Sequence, residues 1–169
     1  MNTHRIIRCA VFSAVALIIF VLESLIPPVV PIPGFKLGLA NTVTLASMYI
    51  LGIKDAFWIL LVRILLGNLF TGQIMSMVYS LCGGMLCFGI TAALKDFFGK
   101  STLWALGIIG AVFHNIGQVA CACVLFGSTV FVYYGLVLCF ASFFTGTFTG
   151  LAAQFTVNYF HALRSKNHD

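Results

Sequence analysis

Three strongly polar side chains lie close together in an otherwise apolar stretch of the chain: His114, Asn115 and Gln118. On a helix, His114 and Gln118 are four residues apart and share a face, and Asn115 and Gln118 are three residues apart. One polar residue in such a helix is commonly an interhelical hydrogen bond worth less than about 1 kcal/mol. Three polar residues on one face of a helix indicate that this face lines a cavity, where the residues would offer neutral hydrogen bonds to a small molecule.

One positive charge, that of Arg63, falls in the middle of an apolar run. An Arg near the centre of a bilayer costs at least about 2.5–3.5 kcal/mol, so we expect it to face a partner or water. Two interpretations stay open: a structural ion pair with Glu23, or a contact to a ligand carboxylate or phosphate that Lys36 shares. Glu23 and Lys36 are alternatively ordinary solvated residues at the interface. Asn41, at the start of a predicted helix, is either an N-cap or a further ligand contact.

The sequence lacks the motifs of common catalytic sites, since it has no Walker A loop and no HExxH, GxSxG or DDxxD segment. Its four acidic residues are widely separated, whereas two-metal diphosphate chemistry needs clustered carboxylates. The six cysteines form no CxxC pair and lie in apolar runs, where cysteine behaves as a small hydrophobic residue. We therefore predict a protein that is not an enzyme and that binds no cofactor or metal.

The elements that must position these side chains are membrane helices. Of 169 residues, 61% are hydrophobic and only 8% are charged, against roughly a quarter charged in a soluble domain. A spanning helix needs about 20 apolar residues, so about six spans use nearly the whole chain. We predict an all-α, polytopic membrane protein with a single transmembrane domain over residues 1–169. The predicted helices cover residues 6–26, 38–53, 56–71, 74–94, 102–126 and 130–160.

The orientation follows from the Lys and Arg residues at alternate ends of the predicted spans. One side holds seven of them, and the other holds only Lys36, in a loop with four prolines; Arg63 lies within a span and is left out. The positive-inside rule then places both termini in the cytoplasm. Because the polar residues fall in the middle and outer half, we expect a cavity that opens to the outside. The seven are Arg5, Arg8, Lys54, Lys95, Lys100, Arg164 and Lys166.

Small residues at four-residue spacing indicate surfaces where helices approach closely. Ala10 and Ala14 form one such pair in the first predicted helix, and Gly146 and Gly150 form another in the last. This spacing alone leaves two interpretations open, docking of a partner and packing within the bundle.

Several of these residues belong to runs that resemble a known family. The runs are LESLIP at 22–27, PGFKLGLAN at 33–41, GAVFHNIGQ at 110–118 and TGTFTG at 145–150, with Arg63 and Gly83-Gly84 in addition. They resemble the family called heptaprenyl diphosphate synthase component I, also labelled Gx transporter. That family is similar to the substrate-binding S components of energy-coupling-factor vitamin transporters.

The resemblance implies an S-component-like bundle in the bacterial cytoplasmic membrane. S components use an alanine-rich face of helix 1 to meet a transmembrane coupling subunit, and Ala10 and Ala14 match that spacing. The family name instead implies an accessory role in making the isoprenoid tail of quinones.

Two functions follow as hypotheses. The first is a substrate-binding subunit of a transporter for a vitamin-like solute, energised by partner ATPases because the chain has no nucleotide site. The second is a non-catalytic accessory subunit of polyprenyl diphosphate or quinone biosynthesis, or of a flavin-linked membrane redox system. The expected partners are therefore a vitamin-like, flavin or isoprenoid-related ligand, a coupling subunit with ATPases, and lipid. Nucleic acid is not expected, because the basic residues separate the apolar runs rather than cluster. The expected binding residues are Glu23, Lys36, Asn41, Arg63, His114, Asn115 and Gln118.

Overall fold

The computed structural model describes residues 3–25, 38–72 and 74–166 of the chain. Within these residues the chain forms six α-helices and no strand, which confirms the predicted all-α class. The helices are α1 Thr3–Ser24, α2 Asn41–Ile50, α3 Ile53–Thr71, α4 Ile74–Leu94, α5 Leu103–Phe126 and α6 Val130–Lys166.

Four of the described helices, α1, α4, α5 and α6, are long and apolar enough to cross a membrane. The protein is therefore a membrane protein, although a count of six spans is not confirmed. Helix α3 has 19 residues but carries three charged side chains, Lys54, Asp55 and Arg63. Helix α2 has ten residues, which rise about 15 Å. That is half of the roughly 30 Å hydrocarbon core of a bilayer.

Two glycines shorten α2 relative to the predicted helix 38–53. Gly38 has a φ of 78° and Gly52 a φ of 103°, a backbone conformation that glycine adopts readily and other residues rarely do. Gly38 belongs to a turn in which the Asn41 N–H donates to the Gly38 carbonyl at 2.8 Å. The helix can therefore begin only after this turn, and it ends before Gly52.

Helices α4, α5 and α6 pack at the distance of backbone contact. A Cβ on Gly107 of α5 would lie 2.5 Å from the Gly150 Cα and 2.6 Å from the Gly146 carbonyl of α6. A Cβ on Gly117 of α5 would lie 2.9 Å from the Cys82 carbonyl of α4. Packing within the bundle is thus the interpretation that the structure supports for Gly146 and Gly150.

Helices α1 and α3 run parallel to each other. Near their N-termini, two nitrogens of the Arg5 guanidinium, Nε and Nη2, donate hydrogen bonds to the Asp55 carboxylate at 2.6–3.0 Å. Further along, the Phe20 ring lies against Gly67 and fills the space that a side chain would need. Helix α2 lies beside this pair in the opposite direction.

One end of the bundle, called the basic end below, is formed by the N-termini of α1, α3 and α5 and the C-termini of α2, α4 and α6. Helix α2 reaches it at Tyr49, whose hydroxyl lies 3.1 and 2.9 Å from the Lys95 and Phe98 carbonyls. Every described Lys and Arg except Arg63 is near this end. That distribution is the one expected of a cytoplasmic side, and the orientation itself stays a prediction.

Candidate functional site

The N-terminus of α2 lies at mid-height in the bundle. Asn41, its first residue, accepts a hydrogen bond at 2.9 Å from Nη2 of Arg63, the eleventh of the 19 residues of α3. Two residues further on, Val43 packs with Ala16 of α1 and Ile59 of α3. From there α2 runs toward the basic end. The Asn41 and Thr42 N–H groups donate to the Gly38 and Leu39 carbonyls, so what the first turn of α2 directs to the centre of the bundle is the positive end of its dipole.

Arg63 is 3% exposed, as the cost of a charge in hydrocarbon requires. Its Nε has no hydrogen-bond partner among the described residues. The Glu23 carboxylate, also buried, accepts a hydrogen bond from the Gly38 N–H and adds a favourable Coulomb interaction to the guanidinium. Arg63 thus has Glu23 as a nearby counter-charge and also donates a hydrogen bond to Asn41. Its Nε–H still has no acceptor among the described residues.

His114 and Gln118 of α5 lie on one face, against Gly83 of α4. A Cβ on Gly83 would come within 2.6 Å of the His114 carbonyl and 2.9 Å of the Gln118 Cγ. The absence of a side chain at Gly83 is therefore what lets α5 present these two residues. His114 Nδ1 and both polar atoms of the Gln118 amide have no partner in the described part of the chain.

Asn115 does not share that face, and this corrects the predicted stripe of three. Its amide nitrogen donates to the Ser142 hydroxyl at 2.7 Å and to the Leu138 carbonyl at 3.2 Å, both on α6. Asn115 therefore joins α5 to α6. The physical reason is that α5 packs against α4 on one side and against α6 on another. Two residues adjacent in sequence are therefore both buried, but against different helices.

A small cavity lies between the first turn of α2 and helices α4, α5 and α6. Its volume is about 30 Å³, room for about two water molecules or a group the size of a carboxylate. Pockets for whole small molecules usually measure about 300–1,000 Å³. The polar and glycine residues of its wall are Gly38, Asn41, Thr44, Gly84, Thr91, Gly107, Gly110, His114 and Thr149.

The cavity extends from the level of His114 toward the basic end, as the positions of Thr91 and Gly107 on their helices require. The predicted opening at the other end stays a prediction. Lys36 and the rest of its loop lie outside the described residues. Ala10 and Ala14 are exposed on α1, so neither is used for packing within the described bundle.

Thr44 is a cavity residue that sequence reasoning missed. It is 6% exposed, and its hydroxyl has no hydrogen-bond partner within the described ranges. The signal was present, because Thr44 lies three residues after Asn41 and shares its face of α2. Threonine is common in membrane helices, where its hydroxyl usually bonds to its own backbone, as that of Thr91 does to Cys87.

The fold and this site define a helical membrane protein with a buried, incompletely hydrogen-bonded polar centre at the start of a half-length helix. The profile of the family described as heptaprenyl diphosphate synthase component I matches residues 12–156. The chain belongs to that family. No curated protein and no solved structure shows significant similarity to it.

Proposed function

We propose that this chain is a membrane-embedded, non-catalytic subunit that binds a small molecule at the centre of its bundle, in the manner of a transporter S component. The supporting observation is a group of buried polar atoms without a hydrogen-bond partner among the described residues. Thr44 Oγ1 and His114 Nδ1 belong to residues of the cavity wall, and Arg63 Nε belongs to a guanidinium that donates to the wall residue Asn41. An unpaired buried polar atom costs about 1–3 kcal/mol. Several such atoms in and beside the wall of one cavity are expected where a ligand would supply the missing hydrogen bonds.

The described acidic residues form no cluster at the cavity, and this supports a binding role. Of the described acidic residues, Glu23 is held by the Gly38 N–H and Asp55 by Arg5. Asp55 and Asp96 are near the basic end, away from the cavity. Movement of a solute would therefore take its energy from partner ATPases, and Ala10 and Ala14 on the exposed face of α1 would meet the coupling subunit.

The family description supports a second candidate equally well. A component I of heptaprenyl diphosphate synthase would be an accessory chain that works with a synthase partner. In that role the buried centre would receive an isoprenoid-related ligand, or a flavin in a membrane redox system. The two candidates share a bound ligand and differ in the partner chain.

Native mass spectrometry of the gently purified protein tests both candidates. A retained small molecule together with a coupling subunit and ATPases would support transport. A retained isoprenoid together with a soluble prenyl synthase would support the accessory role. A protein that carries no small molecule under any purification condition would contradict a binding role of either kind.

A further inference from the structure

We propose that the α2 N-terminus, together with Arg63 and Thr44, binds a single anionic group of carboxylate or phosphate size. This inference rests on the proposed binding function and names the chemistry that the site recognises. It is carried by where the helix begins and by which polar atoms near that point have no partner.

The geometry of α2 supplies the first part of the argument. A ten-residue helix that begins at mid-height places the positive end of its dipole inside the bundle, where hydrocarbon or protein leaves it poorly screened. Its N-cap residue is Ala40, and no side chain caps it. Because the Asn41 and Thr42 N–H groups already donate to the Gly38 and Leu39 carbonyls, the attraction to an anion comes from the dipole rather than from these two groups. Helix N-termini of this kind bind anions in soluble proteins and in membrane transporters with interrupted helices.

The unpaired donors supply the second, independent part. Arg63 is 3% exposed and its Nε–H has no acceptor among the described residues. It is not in the cavity wall, but its guanidinium donates to Asn41, which is. Thr44, on the first turn of α2 and in the cavity wall, has an unpaired buried hydroxyl. His114 Nδ1, also in the cavity wall, has no partner among the described residues, and in a neutral imidazole it can accept from a protonated oxygen of the ligand.

The cavity sets the size of the group. A volume of about 30 Å³ holds about two water molecules, which is comparable to one carboxylate and too little for a ring system. A larger ligand would therefore place only its anionic end here. Gly38 and Gly84 form part of the wall.

Glu23 opposes the anion and thereby provides a sharp test. Its carboxylate accepts from the Gly38 N–H, directly before α2, so it competes for the same positive potential. If the site recognises an anion, Glu23→Gln removes the competing charge, keeps a hydrogen-bond acceptor, and should tighten binding. If the site recognises a cation, the same change should weaken binding.

The experiment measures thermal unfolding of the full chain in nanodiscs of neutral phosphatidylcholine, during titration with acetate or with acetamide. Gluconate, which is too large for the cavity, keeps the ionic strength constant. We expect the unfolding temperature to rise and saturate with acetate but not with acetamide, because binding to the folded state stabilises it. An equal response to acetate and acetamide, or no response to either acetate or inorganic phosphate, would overturn the inference.

Three variants locate the effect. Arg63→Gln removes the positive charge that contacts the wall residue Asn41, and should weaken acetate binding several-fold. Thr44→Val should weaken it less, and Glu23→Gln should strengthen it. Arg5→Gln is the matched control, since it makes the same charge change at the basic end and should leave the acetate response unchanged. If Arg63→Gln does not fold, the Glu23→Gln result still decides, because a weaker acetate response there contradicts an anion site.

The source of the anionic group is tested by comparing inorganic phosphate with farnesyl phosphate. A gain of tenfold or more from the isoprenoid chain supports a membrane lipid as the carrier, and equal affinity supports a soluble solute. If mass spectrometry instead finds a neutral or cationic ligand, this inference fails while the proposed binding function stands. If no ligand is ever bound, both fail.

Discussion

Two adjacent residues of α5, His114 and Asn115, contact different neighbouring helices. His114 faces α4 and the cavity, and its Nδ1 has no partner in the described structure. Asn115 faces α6, where it makes two hydrogen bonds. In a helix that is packed on several sides, one polar side chain can therefore line a binding cavity while its neighbour in sequence joins two helices.

This division predicts opposite results for two neighbouring alanine substitutions. Asn115→Ala removes a hydrogen bond between α5 and α6, and should lower the free energy of unfolding by about 1 kcal/mol, within the range of such bonds in membranes. It should leave affinity for the co-purifying ligand unchanged. His114→Ala should lower that affinity. Both are measured by ligand retention in native mass spectrometry and by thermal unfolding; loss of ligand from Asn115→Ala alone would contradict the assignment.

The sequence predicts which polar residues are buried at the site, but it does not predict which neighbouring helix each of their side chains faces. Arg63 is identified by its charge in an apolar run, because the energetic cost leaves few positions for it. The direction of Asn115 could not be predicted, since spacing shows which residues share a face and not which helix that face meets. Thr44 could have been predicted from its spacing to Asn41, but whether its hydroxyl finds a partner depends on how the neighbouring helices pack against it.

Helix α2 is about half as long as a membrane-spanning helix, and its N-terminus therefore lies at the level of the site inside the bundle. The sequence predicts a helix from residue 38 and offers Asn41 as an N-cap candidate, but it does not predict that the turn at Gly38 shortens the helix. The backbone conformation at Gly38, next to His114 and before Asn41, sets where the helix begins. Glycine is so common in membrane helices that its presence alone does not predict an interruption.

The contact between α5 and α6 predicts a strong effect of one methyl group. Gly107→Ala would place its Cβ 2.5 Å from the Gly150 Cα. The backbones must then separate, and overpacking of this kind costs about 1–3 kcal/mol. We expect a lower unfolding temperature and, because Gly107 is in the cavity wall, weaker ligand binding.

Gly89→Ala on α4 is the matched control. No atom lies within 4 Å of its Cβ position, and alanine is favoured over glycine in a helix by up to about 1 kcal/mol. This variant should be as stable as the parent or more so. Equal stability of the two variants would show that α5 and α6 are not in backbone contact.

For the whole molecule, the concentration of Lys and Arg at the basic end predicts its orientation. The loop that contains Phe35 should then be extracytoplasmic. A cysteine introduced at Phe35 should react with a membrane-impermeant thiol reagent on intact cells, whereas one at Lys54 should react only after lysis. The parent protein, with its six native cysteines, gives the background. Labelling of Phe35→Cys only after lysis would reverse the predicted topology.

The exposed face of α1 predicts how the molecule meets a partner. Ala10 and Ala14 are exposed, whereas Ala16 is fully buried against Val43 and Ile59. Small residues on a lipid-facing surface contribute little to the fold, and they let another helix approach closely. The double substitution Ala10→Leu and Ala14→Leu should therefore leave stability nearly unchanged but abolish co-purification with a coupling subunit.

Ala16→Leu makes the same chemical change on the buried face and separates folding from docking. It inserts three carbons into a filled contact with α2 and α3, so we expect destabilisation by about 1–3 kcal/mol. Thermal unfolding and pull-down of the partner are measured on both variants. If the Ala10/Ala14 variant loses stability as Ala16→Leu does, the pair contributes to packing rather than docking. If it keeps both stability and partner, α1 does not meet the coupling subunit through these residues, and the accessory role in isoprenoid synthesis gains support over transport.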